Sequence, residues 1–180
     1  IAAENNLAET AFVVPEGESF RIRWFTPRYE APLCGHATLA TAFVLLHMIG
    51  VEAKTIHFQS RSGPLVVQQD GGWLVMDFPA YEMQPVEAPT DILAAFDIPP
   101  TQVFRTHEDP NYHLIYEQAE QVRAMQPNLA QLEQWPHEGF AVSAPDDHFD
   151  CVSRYFAPGA GIPEDPVTGS IHSALVPYWS

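Results

Sequence analysis

The chain has 180 residues, 46% hydrophobic and 12% aromatic but only 17% charged, enough apolar material for a packed core in one large domain or two small ones. Acidic residues outnumber basic ones 23 to 8, for a net charge of −15; such a surface repels phosphate backbones and anionic lipid, so neither nucleic acid nor a membrane is an expected partner. The longest apolar stretch, 37–49, is too short and interrupted to span a bilayer, and two distant cysteines, Cys34 and Cys151, make no disulfide framework and fit a reducing cytoplasm.

In chain order, residues 1–9 read as the last turns of a helix already under way, and 10–14 as a strand ended by Pro15-Glu16-Gly17. Residues 20–25 alternate apolar with polar, the period of a half-buried strand. A Pro-containing loop leads to Cys34-Gly35-His36, and 37–48 is a helix apolar on nearly every side, expected to run through the middle of its lobe with sheet around it. Strands follow at 55–59, 65–69 and 73–78, the last two joined by the hairpin signal Asp70-Gly71-Gly72. A Pro-rich connector at 79–89 marks the domain boundary, which gives lobes 1–88 and 89–180; Thr90 is placed to cap a short helix over 91–96. The second half reads as strands at 102–106 and 112–117, short helices at 119–125 and 129–134, and strands at 139–143 and 149–156. A loop at 157–166 and an apolar helix follow, with Pro177 expected to kink or end that helix. Both ends read as cut, so the chain is expected to be an internal piece of a longer protein.

The two halves echo each other. Arg23-Trp24-Phe25-Thr26-Pro27 is followed by a loop, Gly35-His36 and an apolar helix; Arg154-Tyr155-Phe156-Ala157-Pro158 is followed by a loop, Gly169-Ser170 and another. A glycine and a small polar residue at a helix start present backbone N–H groups that have no partner within the helix, and the macrodipole makes that end attractive to anions. Two such starts can clamp a carboxylate without Lys or Arg. Glu9, facing an apolar strand, is the candidate base, because apolar walls raise a carboxyl's pKa toward neutrality. His36 and Asp165 are candidate acid–base partners, and Cys34, just before a helix start, is a candidate thiol. Each also has an ordinary reading: a solvated helix-end acid for Glu9, a cap for His36, a loop acid for Asp165, turn glycines at 35 and 169, and a small buried hydrophobe for Cys34. The eight histidines show no paired helical spacing and neither cysteine has a CxxC partner, so no metal is expected. No phosphate loop, GxGxxG or GxSxG turn occurs, so no nucleotide or redox cofactor is expected.

Three segments together resemble the phenazine-biosynthesis PhzF-like family. Asn6-Leu7-Ala8-Glu9-Thr10 is similar to its N-L-[SA]-E-T segment, Leu33-Cys34-Gly35-His36-Ala37-Thr38 to its L-C-G-H-A-T helix start, and the stretch from Gly161 through Glu164-Asp165-Pro166-Val167-Thr168-Gly169-Ser170 to His172 to its G-I-x-E-D-P-V-T-G-S-A-H. The resemblance implies an α+β, diaminopimelate-epimerase-like fold: two pseudo-symmetric lobes, each a curled, mostly antiparallel sheet around a central apolar helix, incomplete at both ends, with the site in the cleft. It implies a cofactor-independent isomerase or epimerase acting on a small carboxylate-bearing metabolite, with Glu9 as base, His36 and Asp165 as further catalytic positions, and Gly35, Gly169 and Ser170 binding substrate. It allows a homodimer. Ala8 stands where some members carry a ligand-contacting Ser, and no second Cys lies between Asp165 and Ser170, which weakens a two-thiol racemase. A racemase using Cys34 and a catalytically inactive metabolite-binding protein remain as alternatives.

Overall fold

A computed structural model describes all residues, 1–180. They form two compact units, Ile1–Pro79 and Ala80–Ser180. The division falls ahead of the Pro-rich connector rather than at 88/89. The physical reason is that the connector already belongs to the second sheet, where Gln84 and Pro85 pair with Arg105 and Phe104. The α+β class, two mostly antiparallel sheets each carrying an apolar helix, is the one observed. No helix is long and apolar enough to cross a membrane.

In the first unit, β1 (Thr10–Glu16), β2 (Ser19–Phe25), β3 (Glu30–Ala31), β4 (Thr55–Ser60), β5 (Gly63–Asp70) and β6 (Trp73–Met76) form one sheet in the order β1-β2-β4-β5-β6, with β3 also on β2. Residues 1–9 are not a helix: Asn5 N–H to Ile1 O at 3.0 Å, Asn6 N–H to Ala3 O at 3.3 Å and Leu7 N–H to Ala2 O at 3.0 Å close turns only, and Asn6 takes up φ 51°. Pro15 is tolerated because β1 is an edge strand. The alternation in β2 buries Ile22 and Trp24 and leaves Arg21 and Arg23 outside; Ile56, Phe58 and Val67 complete that inner face. Gly71 and Gly72, at φ 52° and 95°, form the two-residue turn of the β5–β6 hairpin.

β2 and β4 are parallel and so need a crossover, which α1 (Gly35–Phe43) supplies. Gly35, Ala37, Thr38 and Ala42 are its buried positions, small enough for the helix to lie close on the sheet. The expected helix does not continue regularly to 48. Beyond Phe43 it widens into a π-type turn, Val44–Ile49, closed by Gly50 at φ 81°. Nor is it surrounded: Phe43, Val44, Met48 and Ile49 are exposed, because the sheet covers only the side that carries Leu45 and the alanines.

In the second unit, the strands are β7 (Gln84–Pro85), β8 (Gln102–Arg105), β9 (Tyr112–Ile115), β10 (Phe140–Pro145), β11 (Cys151–Ala157) and β12 (Ile162–Asp165). They run in the order β12-β11-β10-β9-β8-β7. The helices are α2 (Thr90–Leu93), α3 (Ala119–Ala124), α4 (Leu129–Leu132) and α5 (His172–Trp179). Thr90 does not cap α2; Pro89 occupies that position, and its carbonyl accepts from Ile92 and Leu93 at 3.0 and 3.2 Å. Only β9 and β10 are parallel, joined through α3 and α4. Ile92, Val122, Met125 and Leu132 pack with Leu114, Phe140 and Phe156 in the main core, while Ile171 and Leu175 pack on Ala141. β9 and β10 are therefore covered on both faces.

Pro177 lies inside α5 without ending it. Its missing N–H is the one that would reach the Ser173 carbonyl, and that carbonyl instead accepts from Tyr81 N–H at 2.7 Å. Trp179 Nε1–H donates to Ser143 Oγ at 3.0 Å, which anchors the helix end to β10.

His113 alternates with Tyr112 and Leu114 in β9, is fully buried, and neither ring nitrogen has a hydrogen-bond partner. Burial pushes its pKa below the ordinary value, and the negative charge of Asp109 opposes that push only in part. The unfolded chain therefore takes up a proton near pH 6.5 that the folded chain refuses, so this contribution to stability is complete above that value and is lost as the pH falls below it. Urea unfolding should show stability declining below pH 6.5 by at most about 1.4 kcal/mol per pH unit from this residue. His113→Leu should flatten that decline; an unchanged slope would rule the residue out as its source.

Candidate active site

The echo between the halves is structural. Arg23 of β2 grips Glu30 of β3 through Nε and a terminal nitrogen at 2.9 and 2.8 Å; Arg154 of β11 grips Glu164 of β12 in the same way at 2.7 and 2.9 Å. Each guanidinium also lies over the phenyl ring two residues on, 4.9 Å from Phe25 and 5.0 Å from Phe156. In both units a strand is thus tied to a short return strand that leads to an apolar helix. Arg23 and Arg61 together hold the Glu30 carboxyl down at about 2.

In the first unit the return strand delivers Cys34 in an extended conformation as the N-cap of α1, with no side chain capping the helix. The first helical bond is Thr38 N–H to Cys34 O at 3.2 Å, reinforced by Thr38 Oγ–H to the same carbonyl at 2.7 Å. The N–H groups of Gly35, His36 and Ala37 precede that bond and point out of the helix start. Glycine leaves room here: a Cβ at position 35 would stand 3.1 Å from Cζ of Phe78, so a larger residue needs that ring to shift by a few tenths of an ångström.

Glu9 lies in the segment entering β1, not on a helix, and α1 packs against that strand. Its Oε2 is 3.5 Å from Nε2 of His36, the second residue of α1, and its side chain is only 12% exposed. Cys34 Sγ lies 3.8 and 3.9 Å from the two ring nitrogens of His36. One donor atom each from Glu9, Cys34 and His36 falls within 4.8 Å of the others. The sequence singled out all three residues but not their convergence into a potential ligand set, because positions 9, 34 and 36 match no short ligand spacing. Tyr29 was not anticipated: burial raises its phenol's pKa and the charge of Glu9 raises it further, against the pull of Arg28. Thr26 sets that tyrosine's turn, its hydroxyl accepting from the Arg28 and Tyr29 amides at 3.1 and 3.0 Å.

In the second unit Asp165 is buried and serves its own loop. Oδ1 accepts from Val167 N–H at 3.2 Å and Oδ2 from Thr168 Oγ–H at 2.6 Å. These bonds shape the turn that presents Gly169 and Ser170, and α5 begins only at His172 after a turn in which the Gly169 carbonyl accepts from His172 N–H at 3.1 Å. A Cβ at Gly169 would meet nothing within 4 Å, so the backbone there is open to approach. Two concavities of about 570 and 550 Å³ lie elsewhere, one beside Arg105 and Asp109, the other beside Phe12 and Arg23. Neither is lined by the residues singled out from the sequence. Asp165→Ala should cost about 2 kcal/mol in chemical unfolding through its two lost charge-assisted bonds; a change within about 0.5 kcal/mol would show that the turn holds without them.

A family model described as phenazine biosynthesis-like protein, PhzC-PhzF, matches residues 1–180. Two Pseudomonas aeruginosa proteins, each named an uncharacterized isomerase, are 46% identical over the whole chain, which covers 68% of either. The crystal structure of a PhzF-family phenazine biosynthesis protein from Enterococcus faecalis superposes with a TM-score of 0.84 at 41% identity, covering 99% of this chain and 68% of that one. The match over every residue, with this identity and this fold, shows that the chain belongs to the phenazine biosynthesis-like PhzC-PhzF family.

Proposed function

We propose that the chain is an isomerase that moves a proton on a small carboxylate-bearing metabolite with its own side chains, Glu9 acting as the base. Membership in a family whose relatives are named isomerases supports the reaction class. The observation that carries the finer reading is the shielded Glu9 carboxylate, 3.5 Å from His36 at the uncapped start of α1.

In this reading the substrate's carboxylate accepts from the N–H groups at Gly35; within the second unit, the turn at Gly169 and Ser170 offers substrate-binding donors of the same kind. Glu9 takes the proton as a C–H bond breaks, and the electron pair left behind delocalises toward the bound carboxylate. Helix-start dipoles stabilise that charge as it develops. His36 relays or orients the proton on Glu9. Asp165 acts as a positioning residue, through the turn it holds. The carboxylic acid formed at Glu9 then returns the proton to another carbon of the same molecule, so atoms and charge balance without a second reactant.

The distance between Glu9 and Cys34 does not suit inversion by those two as a facing pair. Inversion by two groups requires an acid and a base on opposite sides of the carbon, each about 3–3.5 Å from it and so about 6–7 Å apart. The Glu9 and Cys34 donor atoms lie within 4.8 Å, too close to hold a carbon between them. The partners that fit this reading are small carboxylic acids, not nucleic acid or lipid.

The test is hydrogen exchange. A panel of α-amino and β,γ-unsaturated carboxylic acids is incubated with the chain in D₂O and followed by mass spectrometry. Glu9→Gln should slow deuterium uptake by about 10²–10⁴-fold with an unchanged circular dichroism spectrum; uptake at the wild-type rate would remove Glu9 from the mechanism. Cys34→Ser should retain exchange. If that variant alone lost it, the proton would belong to the thiol.

A further inference from the structure

The cluster around His36 also has the make-up of a metal site, although no spacing in the sequence announces one. We infer that Glu9, Cys34 and His36 form a three-ligand site for a thiophilic divalent cation of the zinc type, and that its occupation switches the proposed proton transfer off.

The argument is one of distances and donor chemistry. Around a tetrahedral Zn²⁺ with bonds of about 2.0–2.1 Å to N and O and 2.3 Å to S, neighbouring ligand atoms stand about 3.3–3.6 Å apart. A single nitrogen, His36 Nε2, lies 3.5 Å from Glu9 Oε2 and 3.9 Å from Cys34 Sγ. Two edges of one coordination face thus stand within a few tenths of an ångström of their length around a bound ion, and the third, Glu9 to Cys34, lies within 4.8 Å and closes by a small side-chain rotation. The donor set is one thiolate, one imidazole and one carboxylate, which suits Zn²⁺ or Co²⁺ and disfavours Mg²⁺ and Ca²⁺. Three protein ligands leave a fourth position for water.

Access and charge are consistent with uptake. His36 is 32% exposed and forms the open side, whereas Cys34 is buried. Cys34 supplies its sulfur from the N-cap of α1, and the chain's net charge of −15 favours a cation. Binding forms metal–sulfur, metal–nitrogen and metal–oxygen bonds and releases the thiol proton to solvent. With Glu9 Oε2 committed to the cation, its lone pair cannot accept a substrate proton. That consequence rests on Glu9 being the base; the metal site itself does not.

Cobalt(II) titration of the full chain separates the two claims, because it reads binding without any substrate. Uptake of one Co²⁺ per chain should bring visible d–d bands and a near-ultraviolet thiolate charge-transfer band, both abolished by one equivalent of Zn²⁺. The charge-transfer band should vanish in Cys34→Ser, and apparent affinity should fall at least about tenfold in His36→Ala and in Glu9→Gln. Circular dichroism establishes that each variant is folded; His36→Ala, at a partly exposed position, carries the test if Cys34→Ser is not. No stoichiometric uptake, uptake without the thiolate band, or a band that survives Cys34→Ser would each overturn the site. A sound site whose Zn²⁺ form still exchanged substrate hydrogen would leave the metal inference standing and contradict Glu9 as base.

Discussion

A carboxylate kept out of water against the start of a helix is the constraint on which the chemistry rests. Glu9 and His36 meet at 3.5 Å because the strand that Glu9 enters and the helix that begins at Gly35 pack together in one sheet-and-helix unit. Each neighbouring feature serves that meeting. Arg23 ties the return strand through Glu30, Thr38 closes the first turn of α1 on the Cys34 carbonyl, and Gly35 leaves room for Phe78. An exposed acid at the same place would be ordinary and weakly basic. Burial beside an imidazole is the setting in which the proposed proton transfer places it.

The two units repeat one device with different outcomes. In both, an arginine stacked on a phenylalanine clamps a return strand through a carboxylate, and an apolar helix follows. In the first unit the residues at the helix start carry the titratable groups. In the second the buried acid, Asp165, holds its own turn, and the ring of His172, the first residue of α5, lies 3.2 Å from the Thr168 carbonyl of that turn. The repeat places a helix start after a clamped return strand in each unit, and the base proposed here belongs to the first.

Much of this was legible in the residues. The alternation of Ile22 and Trp24 with Arg21 and Arg23 marks β2, and Gly71-Gly72 marks the β5–β6 hairpin, because both signals are local. β12 has the composition of a loop, since Gly161, Pro163 and Pro166 look like breakers until Arg154 pulls Glu164 into register. Residues 1–9 have helical composition but form turns that Asn6, at φ 51°, interrupts, and Pro89 rather than Thr90 takes the N-cap of α2. The exposure of Met48 and Ile49 and the shared position of Glu9, Cys34 and His36 depend on tertiary packing, which no spacing rule encodes.

The most direct measurement is a ¹⁵N and side-chain ¹³C nuclear magnetic resonance titration of the chain with benzoate, a carboxylate that cannot react. The account expects the backbone amides of Gly35, His36 and Ala37 and the Glu9 carboxyl carbon to shift together, saturably, with one dissociation constant. Amides that stay fixed at the start of α1, or a Glu9 signal that ignores the anion while they move, would contradict it.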